Sequence, residues 1–392
     1  MFVPPEDVPL DRLISSATNY WTTHSDDPEA IYILARIHYL AFSIKRESLP
    51  AYERTGAGEP VEPAPDFLRD GGKGRTLSTR VILEQAIEAR RGFDKAIQLS
   101  PQKGLYYLGL ASLLEEVRNF IKTTNPEQVP VSLQKISLED ARDAYSRAFA
   151  LSYPEETQQH KPAPLEGPTG LISYEAAKGL VRLADEKQFV GDDEAKAELA
   201  KEAIPKLEKI PPGAITPVVF STSNASHLSD FLASNTIVDF DLRGYGWRDR
   251  WPWVKPALGF LCWDPRHTGR ITSARQLFGG YTFQIFRRNG YDALAALDDN
   301  SDGWLTGGEL VGISVWFDRN GNGVADVGEV VPVQTLGIRA IATQYHEHDG
   351  VCPTNARGIV LEDGTYVRTW DWITKPVLGP AKGRPSPSVA RE

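Results

Sequence analysis

The chain has 392 residues, 41% of them hydrophobic and 24% charged, with a formal net charge of −9. That length accommodates two domains, or one repeat array and a compact module, with the composition of an ordinary soluble globular protein. The acidic balance argues against a general nucleic-acid binder, which carries a basic face, and suits a protein that collects cations.

Met1-Phe2-Val3-Pro4-Pro5 has neither a basic start nor an apolar stretch, so no secretory signal is read there. A periplasmic or secreted location is expected if a signal has been removed, and a cytoplasmic one otherwise. The longest apolar runs fall short of the roughly 18 residues of a spanning helix. Residues 28–48, 76–100, 103–120, 137–152 and 173–187 read as amphipathic helices, with apolar positions three and four apart. A Gly/Pro stretch from Gly56 to Gly74 reads as a surface excursion, and Ser137 with Asp140 as a capping pair.

The helical part also shows internal spacing. Ala89, Phe93, Ala96 and Pro101 fall at offsets 0, 4, 7 and 12, and Ala141, Tyr145 and Ala148 repeat the first three, with Pro154 one place late. Tyr107, Leu110, Ala111 and Leu114, and upstream Tyr32, Ala35 and Tyr39, occupy places suited to first helices. The pattern resembles two or three degenerate tetratricopeptide repeats over roughly 28–190; a generic helical bundle with small-residue packing is the alternative. After a last helical segment, Asp193–Ile210, the chain reaches Pro211-Pro212-Gly213, and strand-like pieces, glycines and tryptophans take over. The expected fold class is therefore α+β: an all-α, repeat-like domain at 1–213, a compact calcium module with short strands at 214–375, and a disordered Pro/Gly/Ser-rich tail at 376–392.

Two twelve-residue segments carry the chemistry. In DDNSDGWLTGGE, Asp298, Asn300 and Asp302 take positions 1, 3 and 5, Gly303 position 6 and Glu309 position 12. Calcium takes six to eight hard oxygens at about 2.3–2.6 Å, and this spacing wraps them around one point. The Trp304 carbonyl would serve at position 7, Thr306 directly or through water at 9, and Glu309 with both oxygens. In DRNGNGVADVGE the same places hold Asp318, Asn320, Asn322, Gly323, the Val324 carbonyl, Asp326 and Glu329. Two ions are expected; plain Asx-rich turns are the bland alternative. Only Leu310–Phe317 separates the loops, too little for two helices, so they share one short element, unlike a calmodulin-type sensor. Upstream, Asp264 and Asp241 begin weaker echoes, with Gly269 and Gly246 at position 6. Arg266 and Arg275, and Arg243 and Tyr245, stand where oxygens are needed, so both read as metal-free turns.

Trp251, Leu277-Phe278-Gly279, Gly290–Asp298, Val315-Trp316-Phe317-Asp318 and Leu336-Gly337-Ile338 follow one another in an order that resembles EF-hand-type calcium modules of hemolysin-type (repeats-in-toxin) bacterial surface proteins, over roughly 238–340. The resemblance implies calcium-stabilised folding in an extracytoplasmic setting, with no enzyme activity implied.

Other candidates are weaker. His346-Glu347-His348-Asp349 lacks the four-residue histidine spacing of a helical zinc site. Cys262 near His267 reads as a core cysteine. Cys262 and Cys352 exclude a disulfide scaffold and read as separate buried side chains, with one bridge as the alternative. Gly358–Trp372 reads as a hairpin turning at Asp363-Gly364. No nucleophile elbow, phosphate loop or dinucleotide fingerprint is present. The leading expectation is thus a non-enzymatic calcium-binding scaffold, its helices engaging a protein or peptide partner. A cell-surface hydrolase braced by calcium, with Asp249 or Asp371 as guessed carboxylates, is the alternative. A calcium sensor is disfavoured by the short spacer and single methionine.

Overall fold

The computed structural model describes residues 8–49, 75–158, 171–208, 210, 215–221, 223, 227–242, 248–285 and 288–377. The expected excursion at 56–74, the Pro211–Gly213 junction and residues 378–392 of the expected tail lie outside them. The layout is mixed α+β, with helices first and an antiparallel sheet after.

Helices run over Leu10–Thr23, Pro28–Ile44, Thr79–Leu99, Gly104–Ile121, Leu138–Thr157, Ile172–Glu186 and Asp192–Leu207. Local chemistry sets several of their starts. The Asp27 side chain accepts the Glu29 N–H at 2.9 Å, with Pro28 supplying a preset first turn. Ser137 and Asp140 form the reciprocal capping box. Small residues set how closely the helices approach. A Cβ on Gly92 would lie 2.7 Å from the Ala35 Cβ, so the Pro28–Ile44 and Thr79–Leu99 backbones nearly touch. One polar network runs among them: Arg182 donates to both Glu115 oxygens at 2.6 and 2.7 Å, and the Tyr145 hydroxyl donates to Glu115 at 2.7 Å. It ties together the helices at 104–121, 138–157 and 172–186, and fork-to-carboxylate geometry makes this a strong class of ion pair.

In chain order the strands are β1 (Val8–Pro9), β2 (Ser48–Leu49), β3 (Val218–Ser221), β4 (Leu232–Phe240), β5 (Asp249–Val254), β6 (Leu258–Trp263), β7 (Trp304–Thr306), β8 (Ile313–Trp316), β9 (Val330–Pro332), β10 (Ile338–Ala342), β11 (Glu347–Asp349), β12 (Cys352–Leu361) and β13 (Tyr366–Asp371). The main sheet has the order β7-β10-β12-β13-β3-β6-β8-β9, with β11 added beside β12, and every pairing in it is antiparallel. β4 and β5 form a separate ribbon. Alternation along the strands divides the core in two, because successive side chains point to opposite faces. Val218, Phe220, Leu261, Trp263, Ile313 and Val315 join the core that is continuous with the helices. Val219, Phe260, Cys262, Trp316 and Trp370 face the other way and pack with Phe240, Trp251 and Trp253 of the ribbon. The abundance of tryptophan, which composition alone leaves without a reason, is thereby placed: Trp251, Trp253, Trp316 and Trp370 are among the largest fully buried side chains.

Candidate metal centre

Each twelve-residue loop is held by the same six hydrogen bonds. In the first, Asp298 accepts the N–H groups of Asp302 at 3.2 Å and Gly303 at 2.9 Å. Asn300 accepts Asp302 N–H at 2.9 Å, Asp302 accepts Trp304 N–H at 2.9 Å, and Glu309 accepts Asp299 and Thr306 N–H, both at 2.9 Å. In the second, Asp318 accepts from Asn322 and Gly323 at 3.2 and 2.7 Å. Asn320 accepts from Asn322, Asn322 from Val324, and Glu329 from Arg319 and Asp326, at 3.0, 2.7, 2.8 and 3.1 Å. Counted from the first residue of each loop, the acceptors are positions 1, 3, 5 and 12, and the donors are 2, 5, 6, 7 and 9.

The backbone repeats as well. Ser301 and Gly303 have φ of +58° and +87°, and Gly321 and Gly323 have +69° and +71°. Positions 4 and 6 are thus left-handed in both loops, where glycine is the residue without a Cβ penalty. At Gly323 the approach is also tight, since a Cβ there would meet Val238 at 2.7 Å.

The shared element between the loops is β8, which pairs with β6 on one side and β9 on the other. The second loop therefore hangs between two strands. The first follows a short helix, Gly290–Ala295, and contains β7 as its positions 7 to 9. The Gly303 carbonyl accepts the Thr343 N–H at 3.0 Å, just past β10. The anchoring carboxylates are buried: Asp298 is 5% exposed, Glu309 8%, Asp318 0% and Glu329 5%. Burial pushes the Asp298 carboxyl up, the N–H groups of Gly303 and Asp302 oppose this, and the charges of Glu309 and Asp302 push it further up. Asp326 is exposed and held below the usual carboxylate range by the side chains of Asn320 and Asn322, at 2.7 and 2.9 Å.

A carboxylate offers about four lone-pair sites. Each Glu309 oxygen accepts one N–H, which leaves acceptor capacity on both for a bidentate contact. The donor set of carboxylate, amide and carbonyl oxygens is the hard, oxygen-only kind that calcium takes. Among the described residues, no three His, Cys, Asp or Glu side chains gather into a ready metal cluster. The loop donors are strung around each turn and include amides and main-chain carbonyls.

The echo at Asp264 has the same start. Asp264 accepts the N–H groups of Thr268 and Gly269 at 3.0 and 2.9 Å, and His267 and Gly269 have φ of +50° and +67°. Positions 4 and 6 are left-handed here too, yet Arg266 and Arg275 occupy positions 3 and 12. Asp241 is buried, and Arg243, Tyr245 and Gly246 lie outside the described residues.

The remaining candidates sit in or beside the strands. In β11, Asp349 accepts the Leu228 N–H at 2.6 Å and the Trp370 indole N–H at 3.0 Å, and contacts His227 at 3.2 Å. Glu347 faces Arg368 at 3.5 Å, and the His348 ring stands edge-on to Tyr345. Cys262 and Cys352 are both buried and free, and burial pushes both thiols up. Asp371 is buried in β13, where it accepts the Gly290 N–H at 3.1 Å, and Asp249 is buried at the start of β5.

A model of the SPM domain family matches residues 229–371, a span that holds both loops and strands β4 to β13. Iron-regulated protein FrpA of Neisseria meningitidis serogroup C is 31% identical over 136 residues, which is 33% of this chain and 12% of that protein. These findings correct the expected relationships. The segment that resembles EF-hand-type modules of hemolysin-type proteins matches the SPM domain instead, and no tetratricopeptide family is found. The geometry explains both misreadings. A pair of EF-hands flanks each loop with helices, whereas here strands β8 and β9 flank the second loop. The 0, 4, 7 spacing of Ala89, Phe93 and Ala96 marks one fully buried face of a helix, as close packing of any bundle demands.

Proposed function

We propose that this chain is a calcium-binding protein without catalytic activity, in which two bound ions brace the sheet and the helices engage a protein or peptide partner. The observation that carries the reading is the duplicated frame of six hydrogen bonds around two oxygen-rich loops. Asp298, Asn300, Asp302, the Trp304 carbonyl, Thr306 and Glu309 would hold one ion. Asp318, Asn320, Asn322, the Val324 carbonyl, Asp326 and Glu329 would hold the other. A bound dication adds a cross-link among residues otherwise joined by the hydrogen bonds of the turn, so the ordering of 298–329 and binding become one equilibrium. The role is structural, because β8 fills the place where a sensor needs movable helices. A bacterial, extracytoplasmic setting belongs to the same reading, since the similar FrpA is a bacterial protein.

A calcium isotherm tests it. Wild type is expected to bind two ions, and Glu309→Gln and Glu329→Gln one each. Binding weaker than about 10⁻⁴ M fits an extracellular brace, and micromolar binding a sensor. Two sites retained in both variants, or no binding in wild type, defeat the proposal.

A further inference from the structure

Two side chains of the first helix, Leu10–Thr23, reach across to the entrance of the first loop. Arg12 donates through one guanidinium nitrogen to the Leu297 carbonyl at 2.7 Å, and through Nε to Asp299 Oδ1 at 2.8 Å. One turn on, the Ser16 hydroxyl donates to the Ala295 carbonyl at 3.1 Å. Ala295 ends the Gly290–Ala295 helix, and its carbonyl also accepts the N–H of Asp298 at 3.2 Å. A cation and a hydroxyl from about 280 positions away thus add donors to the junction between that helix and the loop.

The placement relative to the loop is the informative part. Leu297 and Asp299 flank Asp298, the first residue of the loop, and neither belongs to the proposed ligand set. The Asp299 N–H is already held by Glu309 at 2.9 Å, while its side chain points to Arg12. Whatever fixes Asp298 and Glu309 therefore also fixes the two groups that Arg12 grips. Ordering those groups costs conformational entropy, so the event that orders them first lowers the cost of the second.

We infer that Arg12 is a latch through which calcium in the first loop controls how firmly the Leu10–Thr23 helix docks on the C-terminal half. The inference rests on the calcium reading above and adds a coupling that the second loop does not share. Coupling of this kind is reciprocal, so a docked helix also tightens calcium binding at the first loop. Arg288 pairs with Asp292 at 3.1 Å, at the start of the Gly290–Ala295 helix and away from the loop.

Amide exchange of the full chain, followed by mass spectrometry with calcium chloride and with chelator, tests the latch. In wild type, calcium should slow exchange both in 298–309 and in 10–23, the latter about fivefold or more, as couplings between sites usually run. In Arg12→Gln, and in the milder Asp299→Asn, the loop should still respond while 10–23 no longer does. A helix that responds equally in wild type and both variants, or not at all while the loop responds, overturns the latch alone. A loop 298–309 that ignores calcium overturns the calcium reading and the latch with it.

Discussion

The indole N–H of Trp253 donates to Asp318 Oδ2 at 2.6 Å, and both side chains are fully buried. Trp253 belongs to the ribbon, and its ring packs on Phe240, Phe260 and Trp316. The first carboxylate of the second loop is therefore positioned by the aromatic core rather than by solvent. Trp316 extends the arrangement, its indole N–H reaching Glu329 at 3.5 Å.

Trp253→Phe keeps most of the ring packing and removes the donor. A lost hydrogen bond to a buried charge costs about 1.5–3 kcal/mol, which a urea titration in chelator should show. Outer partners of metal ligands typically carry about 10–100-fold in affinity, so calcium binding at the second loop should weaken while the first loop keeps its affinity. Unchanged isotherms for both loops would contradict this role.

Gly323→Ala and Gly269→Ala separate backbone strain from crowding. Both glycines are left-handed, and an alanine there costs about 1–2 kcal/mol. At Gly269 nothing lies within 4 Å of the new methyl, whereas at Gly323 it meets Val238 at 2.7 Å. Overpacking adds about 1–3 kcal/mol. Denaturation midpoints should rank wild type above Gly269→Ala and Gly269→Ala above Gly323→Ala.

Gly179→Ala probes the helical network. Its methyl would lie 2.5 Å from the Tyr145 ring, displacing the hydroxyl that donates to Glu115. A loss of about 1–3 kcal/mol is expected, read as a lower melting temperature with calcium held constant. A variant as stable as wild type would show that the helices at 138–157 and 172–186 can separate without cost.

Acid should loosen the helices through Glu186. Hydrogen bonds from Arg118, and then from Lys122 at 3.0 Å, hold its carboxyl at about 2, below its ordinary 4.5. A depressed carboxyl contributes stability above its unfolded value and loses it as the pH falls toward the folded one. The melting-temperature difference between wild type and Glu186→Gln should be full at pH 6, shrink below about 4.5 and vanish near 2. A difference that stays constant across that range would refute the pairing.

Much of this organisation is legible in the chain itself, where the forces are local. The capping box at Ser137 and the apolar periodicity of Thr79–Leu99 depend on neighbours a few residues away. The two loops are legible for the same reason, since an Asp at position 1 and glycine at 6 dictate the turn. The loop at Asp264 shows the limit of that rule: it wraps in the same way although arginines stand at positions 3 and 12. Turn geometry is encoded separately from ligand chemistry. The Leu10–Thr23 helix escapes such reading because Pro9 offers no side-chain cap, and few of its positions, Leu10, Leu13 and Ala17, are fully buried. The order of the sheet is hidden too, because pairings such as β3 with β13 join residues about 150 positions apart and leave no local signal.

That same pairing constrains the order of events during synthesis. Most helix-to-helix contacts join neighbours in the chain, so the helices are expected to pack before the sheet is complete. β3 emerges soon after them but sits between β6 and β13, so one of its edges stays open until Tyr366–Asp371 has been made. An unpaired edge of Val218, Val219 and Phe220 is a template for pairing with another chain. The growing polypeptide is therefore most exposed to aggregation between the completion of β3 and the arrival of β13, a window in which chaperone capture has most to offer.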